Sequence, residues 1–351
     1  MKQDIKSLTL QELTTQIVDL GLPKFRAGQI YSWLHKQCAE SFDEMTNLSK
    51  DLRAKLDEVY EIKNCQIERK LESQIDDTKK YLFKLNDGEF IESVLMKYKY
   101  GYTVCVSSQV GCNMKCSFCA STIDGCVRNL TPSEILSQIY AITRDNQSKD
   151  SDFRVSHIVL MGMGEPLDNY DNVTKFLDLI SNGDGLNISA RHISISTCGI
   201  VPRIYDLIEK HPQFTLSVSL HAPNDEIRSR IMPVNKKWGV DELLTACKKY
   251  TDATNRRISF EYAMMDGIND TDECARQLRN KLKGTLCHVN LIPANEVREN
   301  DYKRSSMERL ETFSRILEAG GITTTIRRSL GGDIDASCGQ LRRNHKEGGE
   351  A

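Results

Sequence analysis

No stretch of this chain approaches the ~18 consecutive apolar residues that a membrane-spanning helix needs, so a helical membrane protein is excluded. The start, Met1-Lys2-Gln3-Asp4-Ile5-Lys6, leads into no apolar run of the secretory kind, and a cytoplasmic protein is expected. An excess of one charge is missing as well. Lys and Arg number 47 against 49 Asp and Glu, a net of −2, and that total neither calls for nor forbids a nucleic-acid partner, because such binding follows local patches. Neither an internal repeat nor a low-complexity segment is present, which removes repeat arrays from consideration. What is there is an ordinary globular composition, 39% hydrophobic and 27% charged. Its 351 residues exceed the ~250–300 at which one core stops growing, so one large domain with a smaller appendage is expected.

Residues 1–60 read as a helical module. Leu8, Leu10, Leu13 and Ile17 lie near helical spacing, Gln29–His35 follows Pro23 as a second amphipathic helix, and Leu48, Leu52 and Leu56 mark a third. Over 61–100 the pattern turns to alternating runs. Tyr81–Leu85 and Phe90–Leu95, joined by Asn86-Asp87-Gly88-Glu89, read as a β-hairpin adapter. From 101 to 341 strands alternate with helices: Thr103–Ser108, Ile158–Met163, Ile193–Thr197, Phe214–Leu220, Ile258–Met264 and Val289–Pro293, with a last strand at Thr323–Arg328. Serial β–α units imply an α/β architecture, a partial (β/α)6-type barrel whose chemistry gathers at the C-terminal strand ends. Residues 342–351 read as a flexible tail.

Twelve cysteines are many for this length. A secreted disulfide scaffold would be far shorter, so that reading is set aside. Cys38, Cys65, Cys126, Cys247 and Cys274 stand outside any motif and read as small packing residues. Cys112, Cys116 and Cys119 differ: they form C-x3-C-x2-C just after the first barrel strand. Three thiolates so spaced suit a 4Fe–4S cube with one iron left without a protein ligand, which is the open position a catalytic centre needs. A structural zinc site wants four protein ligands in two pairs, and no second pair is visible. One β–α unit later comes Met161-Gly162-Met163-Gly164-Glu165-Pro166. Its glycines let backbone approach a ligand, and Glu165 can accept a bond from an ammonium.

The C-x3-C-x2-C spacing resembles the radical S-adenosylmethionine superfamily, in which the cofactor chelates the fourth iron through its amino and carboxylate groups. Five further segments narrow the likeness: Ser107–Cys112, Met161–Pro166, Ser219-Leu220-His221-Ala222-Pro223-Asn224, Asn290–Pro293 and Asp333–Leu341. Together they resemble the RlmN/Cfr family, over nearly the whole chain. The resemblance implies methylation of an adenosine carbon in 23S ribosomal RNA, in some members also in the transfer RNA beside the anticodon. Glu165-Pro166 is similar to the enzymes that act on C2; the antibiotic-resistance enzymes that act on C8 tend to carry Ala where Pro166 stands. A C8 methyltransferase and a non-catalytic iron–sulfur RNA-binding protein are the alternatives.

Adenine C2 is neither acidic nor nucleophilic, so plain methyl displacement does not suit it. The resemblance implies that Cys338, as thiolate, takes a methyl group from one S-adenosylmethionine. A second molecule is cleaved reductively, its radical takes hydrogen from that methyl, and the carbon radical adds to C2. Cys105 then attacks Cys338 in a transient disulfide that frees the RNA. Either Glu92 or Cys105 takes the C2 proton; read alone, Glu92 is an ordinary exposed strand carboxylate. By position the resemblance also implies cofactor contacts at Gly164, Glu165, Ser196, Ser219, Leu220, His221 and Asn295. A monomer fed by a flavodoxin- or ferredoxin-type reductant is expected. For RNA, Lys24, Arg26 and Lys36 with Phe25, Tyr31 and Trp33, the run Lys97–Tyr102, and Arg228, Arg230, Arg327 and Arg328 are the candidate contacts.

Overall fold

The computed structural model describes residues 2–294, 302–328, 330–334 and 341–342. Short polar caps set where the first helices begin. After β1 (Gln3–Asp4), α1 (Leu10–Asp19) starts at Thr9, whose hydroxyl accepts the Glu12 N–H while the Glu12 carboxylate accepts the Thr9 N–H at 2.8 Å. α2 (Phe25–His35) follows, and Ser49 caps α3 (Lys50–Val59). Leu48 therefore precedes the third helix rather than opening it. β2 (Tyr60–Glu61) closes the module by pairing in parallel with β1. Tyr31 is fully buried, which removes it from the residues expected to meet RNA; Phe25 is 59% exposed and Trp33 half-buried. The module has no core of its own. Leu13, Ile17, Ile30, Leu34 and Leu56 belong to one apolar cluster with the helices and strands that follow.

The adapter expected as a separate hairpin is three strands of the main sheet: β3 (Gln66–Glu72), β4 (Lys79–Lys84) and β5 (Phe90–Tyr98). They run antiparallel to one another, and β5 turns at Lys99–Tyr100 into β6 (Gly101–Cys105). The expected RNA-contacting run Lys97–Tyr102 is this hairpin tip, with Tyr98 and Tyr100 stacked at 5.1 Å. β6 has antiparallel β5 on one edge and a parallel strand on the other, so one ladder crosses the expected boundary near residue 100.

Beyond β6 a small ribbon of β7 (Gln109–Gly111) and β8 (Cys126–Asn129) brackets the cysteine motif. Then α4 (Pro132–Gln147), β9 (Val155–Leu160), α5 (Tyr170–Ser181), β10 (Ile193–Thr197), α6 (Val201–Lys210), β11 (Thr215–Ser219), α7 (Asp225–Ile231), α8 (Val240–Thr254), β12 (Ile258–Met264), α9 (Asp272–Leu282), β13 (Cys287–Pro293), α10 (Met307–Glu318) and β14 (Thr323–Ile326) alternate along the chain. The ten strands lie in the order β14-β13-β12-β11-β10-β9-β6-β5-β4-β3.

Strand alternation then divides the two faces. Ile158, Leu160, Ile195, Leu216, Val218, Phe260 and Val289 pack under the helices. Their neighbours Ser194, Ser196, Ser217, Ser219, Ser259, Glu261, His288 and Asn290 face the other way, into the concave lumen. Hydrogen bonds link several of these across strands, including Ser194 to Ser217 at 2.9 Å and Asn290 Nδ2 to Glu261 Oε2 at 2.8 Å. A lumen lined by hydroxyls and a carboxylate cannot be a dry core. It is where the sheet keeps its chemistry.

Candidate active site

The cysteine motif is held from both ends. Cys112 N–H donates to Gly125 O at 2.9 Å beside the β7–β8 ribbon, and Ser117 N–H donates to Ile231 O at 3.0 Å at the end of α7. The Thr122 hydroxyl donates to the Cys116 and Cys119 carbonyls, tightening the turn between the two. Cys112, Cys116 and Cys119 line one cavity of about 290 Å³, whose other walls include Gly164, Glu165, Ser196, Ser219 and His221. Among the described residues no three His, Cys, Asp or Glu side chains gather around a single ion position. Three thiolates on one cavity wall suit a multi-iron cube, in which each thiolate takes a different iron. Burial pushes the Cys112 thiol up to about 12 and Cys116 well above its ordinary value, and a bound cation would favour the thiolate form of both.

The glycines of Met161–Pro166 serve a different neighbour from the one expected. A Cβ on Gly162 would fall 2.6 Å from the Val106 carbonyl, and one on Gly164, at φ +100°, 2.6 Å from the Gln109 side chain. They let the β9 end lie against the segment leading into the cysteines. Ser108 N–H and Gln109 N–H both donate to Met163 O across that contact. Glu165 is buried, and burial raises its pKa despite the bonds its carboxylate accepts. Oε1 takes the Leu167 N–H at 3.0 Å and Oε2 the Cys198 N–H at 2.7 Å. The Thr197 and Cys198 side chains bond the carboxylate as well, so its direction is set by the protein before any ligand arrives.

Four of the remaining expected contacts divide cleanly. Ser196, Ser219 and His221 reach the cavity wall. Leu220 does not: its side chain is fully buried in the main core, and only its backbone is engaged, with the carbonyl accepting Arg228 Nε at 3.0 Å. His221 sits in the left-handed region, φ +54°, and its Nδ1 accepts the Ala263 N–H at 2.9 Å, which places the ring proton on Nε2. Burial and Arg228 lower its pKa to about 3, so it is neutral at physiological pH. Arg228 itself is a correction. Expected at the mouth for RNA, it is fully buried, whereas Arg327 lines the cavity. Asn295 lies outside the described residues.

The second group of expected residues lies on the antiparallel side. Glu92 pairs with Leu82 across β4, and Val94 pairs with Lys80 on one side and Cys105 on the other. Residues directly opposite, and those two along, share a face, so Glu92, Lys80 and Cys105 are brought onto one side of the sheet. Glu92 is not the exposed carboxylate its sequence suggested. It is 2% exposed, and its Oε2 lies 3.2 Å from the Nζ of Lys80, which is 0% exposed. Its Oε1 accepts the Arg342 N–H at 2.5 Å. Arg342, expected to begin a flexible tail, is accordingly 4% exposed and pairs with Glu89 at 3.2 Å. Asp333 accepts from Ser73 Oγ and Gln74 N–H, both at 2.7 Å, and Gly331 N–H donates to Asp76. Both flanks of the segment that carries Cys338 are thus fastened to β3–β5, while Cys338 itself lies outside the described residues.

Sequence reasoning missed four participants. Cys198 and Glu261 line the cavity, Phe118 packs edge-on against His221 with centroids 5.0 Å apart, and Lys80 pairs with Glu92. A charged residue alternating with Tyr81 and Phe83 gave the only available hint at Lys80. Cys198 carried a signal too, as a cysteine directly after a strand end in Thr197-Cys198-Gly199.

This fold and cysteine cavity define a radical S-adenosylmethionine protein: residues 106–278 match the family described as the Radical SAM superfamily. Residues 3–62 match the ribosomal RNA large subunit methyltransferase N-terminal domain. The "probable dual-specificity RNA methyltransferase RlmN" of Lachnospira eligens is 52% identical, covering 98% of this chain and 97% of its own. The protein of the same description from Lachnoclostridium phytofermentans is 53% identical, covering 99% and 96%. A radical SAM methyltransferase from Sphaerobacter thermophilus superposes with a TM-score of 0.92 at 43% identity, over 96% of this chain and 98% of that one. The chain belongs to the RlmN family.

Proposed function

We propose that this protein methylates carbon 2 of an adenosine in 23S ribosomal RNA, and of a transfer-RNA adenosine next to the anticodon, through a methylated Cys338. The observation that carries the reading is the shared face of Cys105 and Glu92, with one flank of the Cys338 segment fastened to the β3–β4 turn and the other to Glu92 on β5. A cofactor-cleaving site alone needs none of these.

Cys112, Cys116 and Cys119 hold a 4Fe–4S cluster, and Gly164, Glu165, Ser196, Ser219, His221 and Asn295, with the backbone of Leu220, hold S-adenosylmethionine against it. Bound there, such a cluster would supply the single electron for reductive cleavage of S-adenosylmethionine. Cys338 attacks the methyl carbon of a first S-adenosylmethionine as thiolate, releasing S-adenosylhomocysteine, and so two molecules are used per turnover. It presents that carbon for hydrogen abstraction and for bond formation to C2. Glu92, fixed by Lys80 and the Arg342 N–H, or Cys105 beside it, removes the C2 proton from the RNA adduct, whose odd electron would return to the cluster oxidised in the cleavage. Cys105 then attacks the Cys338 sulfur, and the S–C bond electrons pass to the methylene carbon, which is protonated to a methyl group. A flavodoxin- or ferredoxin-type donor feeding a cytoplasmic monomer completes the reading.

The test is nucleoside mass mapping of ribosomal and transfer RNA from a strain deleted for this gene, before and after complementation. Loss and restoration of 2-methyladenosine is expected. Recovery of 8-methyladenosine alone would overturn the reading.

A further inference from the structure

Arg228 is a cation without a direct partner ion. It is 0% exposed, and its guanidinium donates to four acceptors: Nε to Leu220 O at 3.0 Å, Nη1 to Asn235 Oδ1 at 3.0 Å, and Nη2 to Cys198 O at 2.6 Å and Ser219 O at 3.0 Å. Every one of these acceptors is neutral. Among the described residues no carboxylate lies within 4.0 Å of it. Asp225 reaches it only through the Asn235 amide, and Glu165 only through the Cys198 peptide. Hydrogen bonds satisfy a buried cation's donors, but they do not neutralise its charge, and an unneutralised buried charge is strongly unfavourable.

The bond from Arg228 Nη2 to the Cys198 carbonyl places the guanidinium behind the cavity wall that Cys198 shares with Cys116. Cys116, Cys198, Ile231 and Met232 form one apolar cluster, and Ser117 N–H docks the cysteine loop on Ile231 O, at the end of the helix that carries Arg228. A cube held by three thiolates is net anionic and gains a further negative charge on reduction.

We propose that Arg228 is the buried counter-charge of the cluster held by Cys112, Cys116 and Cys119, and that it sets the potential at which this cluster accepts an electron. The inference rests on the reading of those cysteines as cluster ligands. A fixed cation in a low-dielectric wall favours the more negative, reduced state. Arg228 is a positioning residue as well, because three of these bonds, to the Cys198, Ser219 and Leu220 carbonyls, tie the ends of β10 and β11 together.

An EPR-monitored redox titration of the anaerobically reconstituted full chain separates charge from scaffolding. In Arg228→Met the reduced-to-oxidised ratio at the wild-type midpoint should fall about tenfold, a negative shift of ~59 mV for a one-electron couple. Arg228→Lys, which keeps the charge but loses the fork, should stay near the wild type. Asn235→Asp leaves Arg228 in place and gives it a direct counter-ion, so it should shift the potential negatively too, and it serves if Arg228→Met does not fold. Equal shifts in Arg228→Met and Arg228→Lys, or an unmoved potential in Asn235→Asp, would overturn the proposal. A wild-type chain that takes up no cluster would instead overturn the reading of the cysteine site.

Discussion

The two halves of the ten-stranded sheet handle charge in opposite ways. In the parallel half, from β6 to β14, the lumen is polar but open, and Ser196, Ser219, His221 and Glu261 surround a cavity of about 290 Å³. In the antiparallel half, β3–β5, opposite charges are packed directly together, with Lys80 against Glu92 and the Arg342 N–H completing the carboxylate's shell. Topology accounts for the difference. Parallel strands end on the same edge, so their loops converge and leave room for a ligand. Antiparallel strands end on alternate edges, so shared function falls to residues along the strands, where register fixes them side by side. The open half suits a cofactor that must enter and leave. The closed half suits groups that must hold one geometry.

Breaking each half should therefore stop the reaction at a different place. The largest effects are expected in the open half: Cys116→Ala should abolish iron loading and with it all 5′-deoxyadenosine, measured by metal analysis and chromatography. Cys105→Ala, on β6 where the two halves meet, should leave 5′-deoxyadenosine formation intact while protein accumulates covalently joined to RNA on denaturing gels. Normal turnover in that variant would remove the resolving role of Cys105.

Lys80→Met should destabilise the fold by ~3–5 kcal/mol in urea titrations, because it strips the ion partner from a buried carboxylate. Lys80→Arg should recover much of that loss, and the potential of the cluster should be the same in both. A fourth prediction concerns protons. His221 and His35 are buried, and each is pushed down to about 3 from an ordinary value of 6.5, by desolvation first. Each resists protonation only when folded, so its contribution is fully present above pH 6.5 and is lost as pH falls toward 3. Unfolding free energy should decline across that window by ~2.7 kcal/mol per pH unit, the slope for two protons taken up on unfolding. His35→Gln should remove one proton from that slope. The smallest effect belongs to the rim: Lys97→Ala, which loses an exposed pairing with Asp77, should leave the melting curve in place while weakening RNA binding in a filter assay.

Much of the fold was readable because it rests on local signals. Ile193–Thr197 and Ile258–Met264 have the bounds that periodicity alone gave, since their alternation is written within a few residues. The adapter was misread because no local pattern tells a free hairpin from three strands that continue a sheet; that depends on what β6 accepts on its second edge. Glu92 and Arg342 were misread for a related reason. A carboxylate in an alternating run and an arginine near a chain end look solvated until the partners, Lys80 and the Glu92 side chain, are brought from 12 and 250 positions away.

By itself the sequence determined the chemistry: cysteine spacing, glycine placement and residue order are covalent facts, and a C-x3-C-x2-C motif followed by Met161–Pro166 fixes which ligand atoms stand near one another in the chain. Only the tertiary structure decided the electrostatics. Whether Arg228 faces water or a wall of sulfur, and whether Glu92 stands alone or against Lys80, depends on which surfaces lose their water on folding, and desolvation is a property of the packed whole.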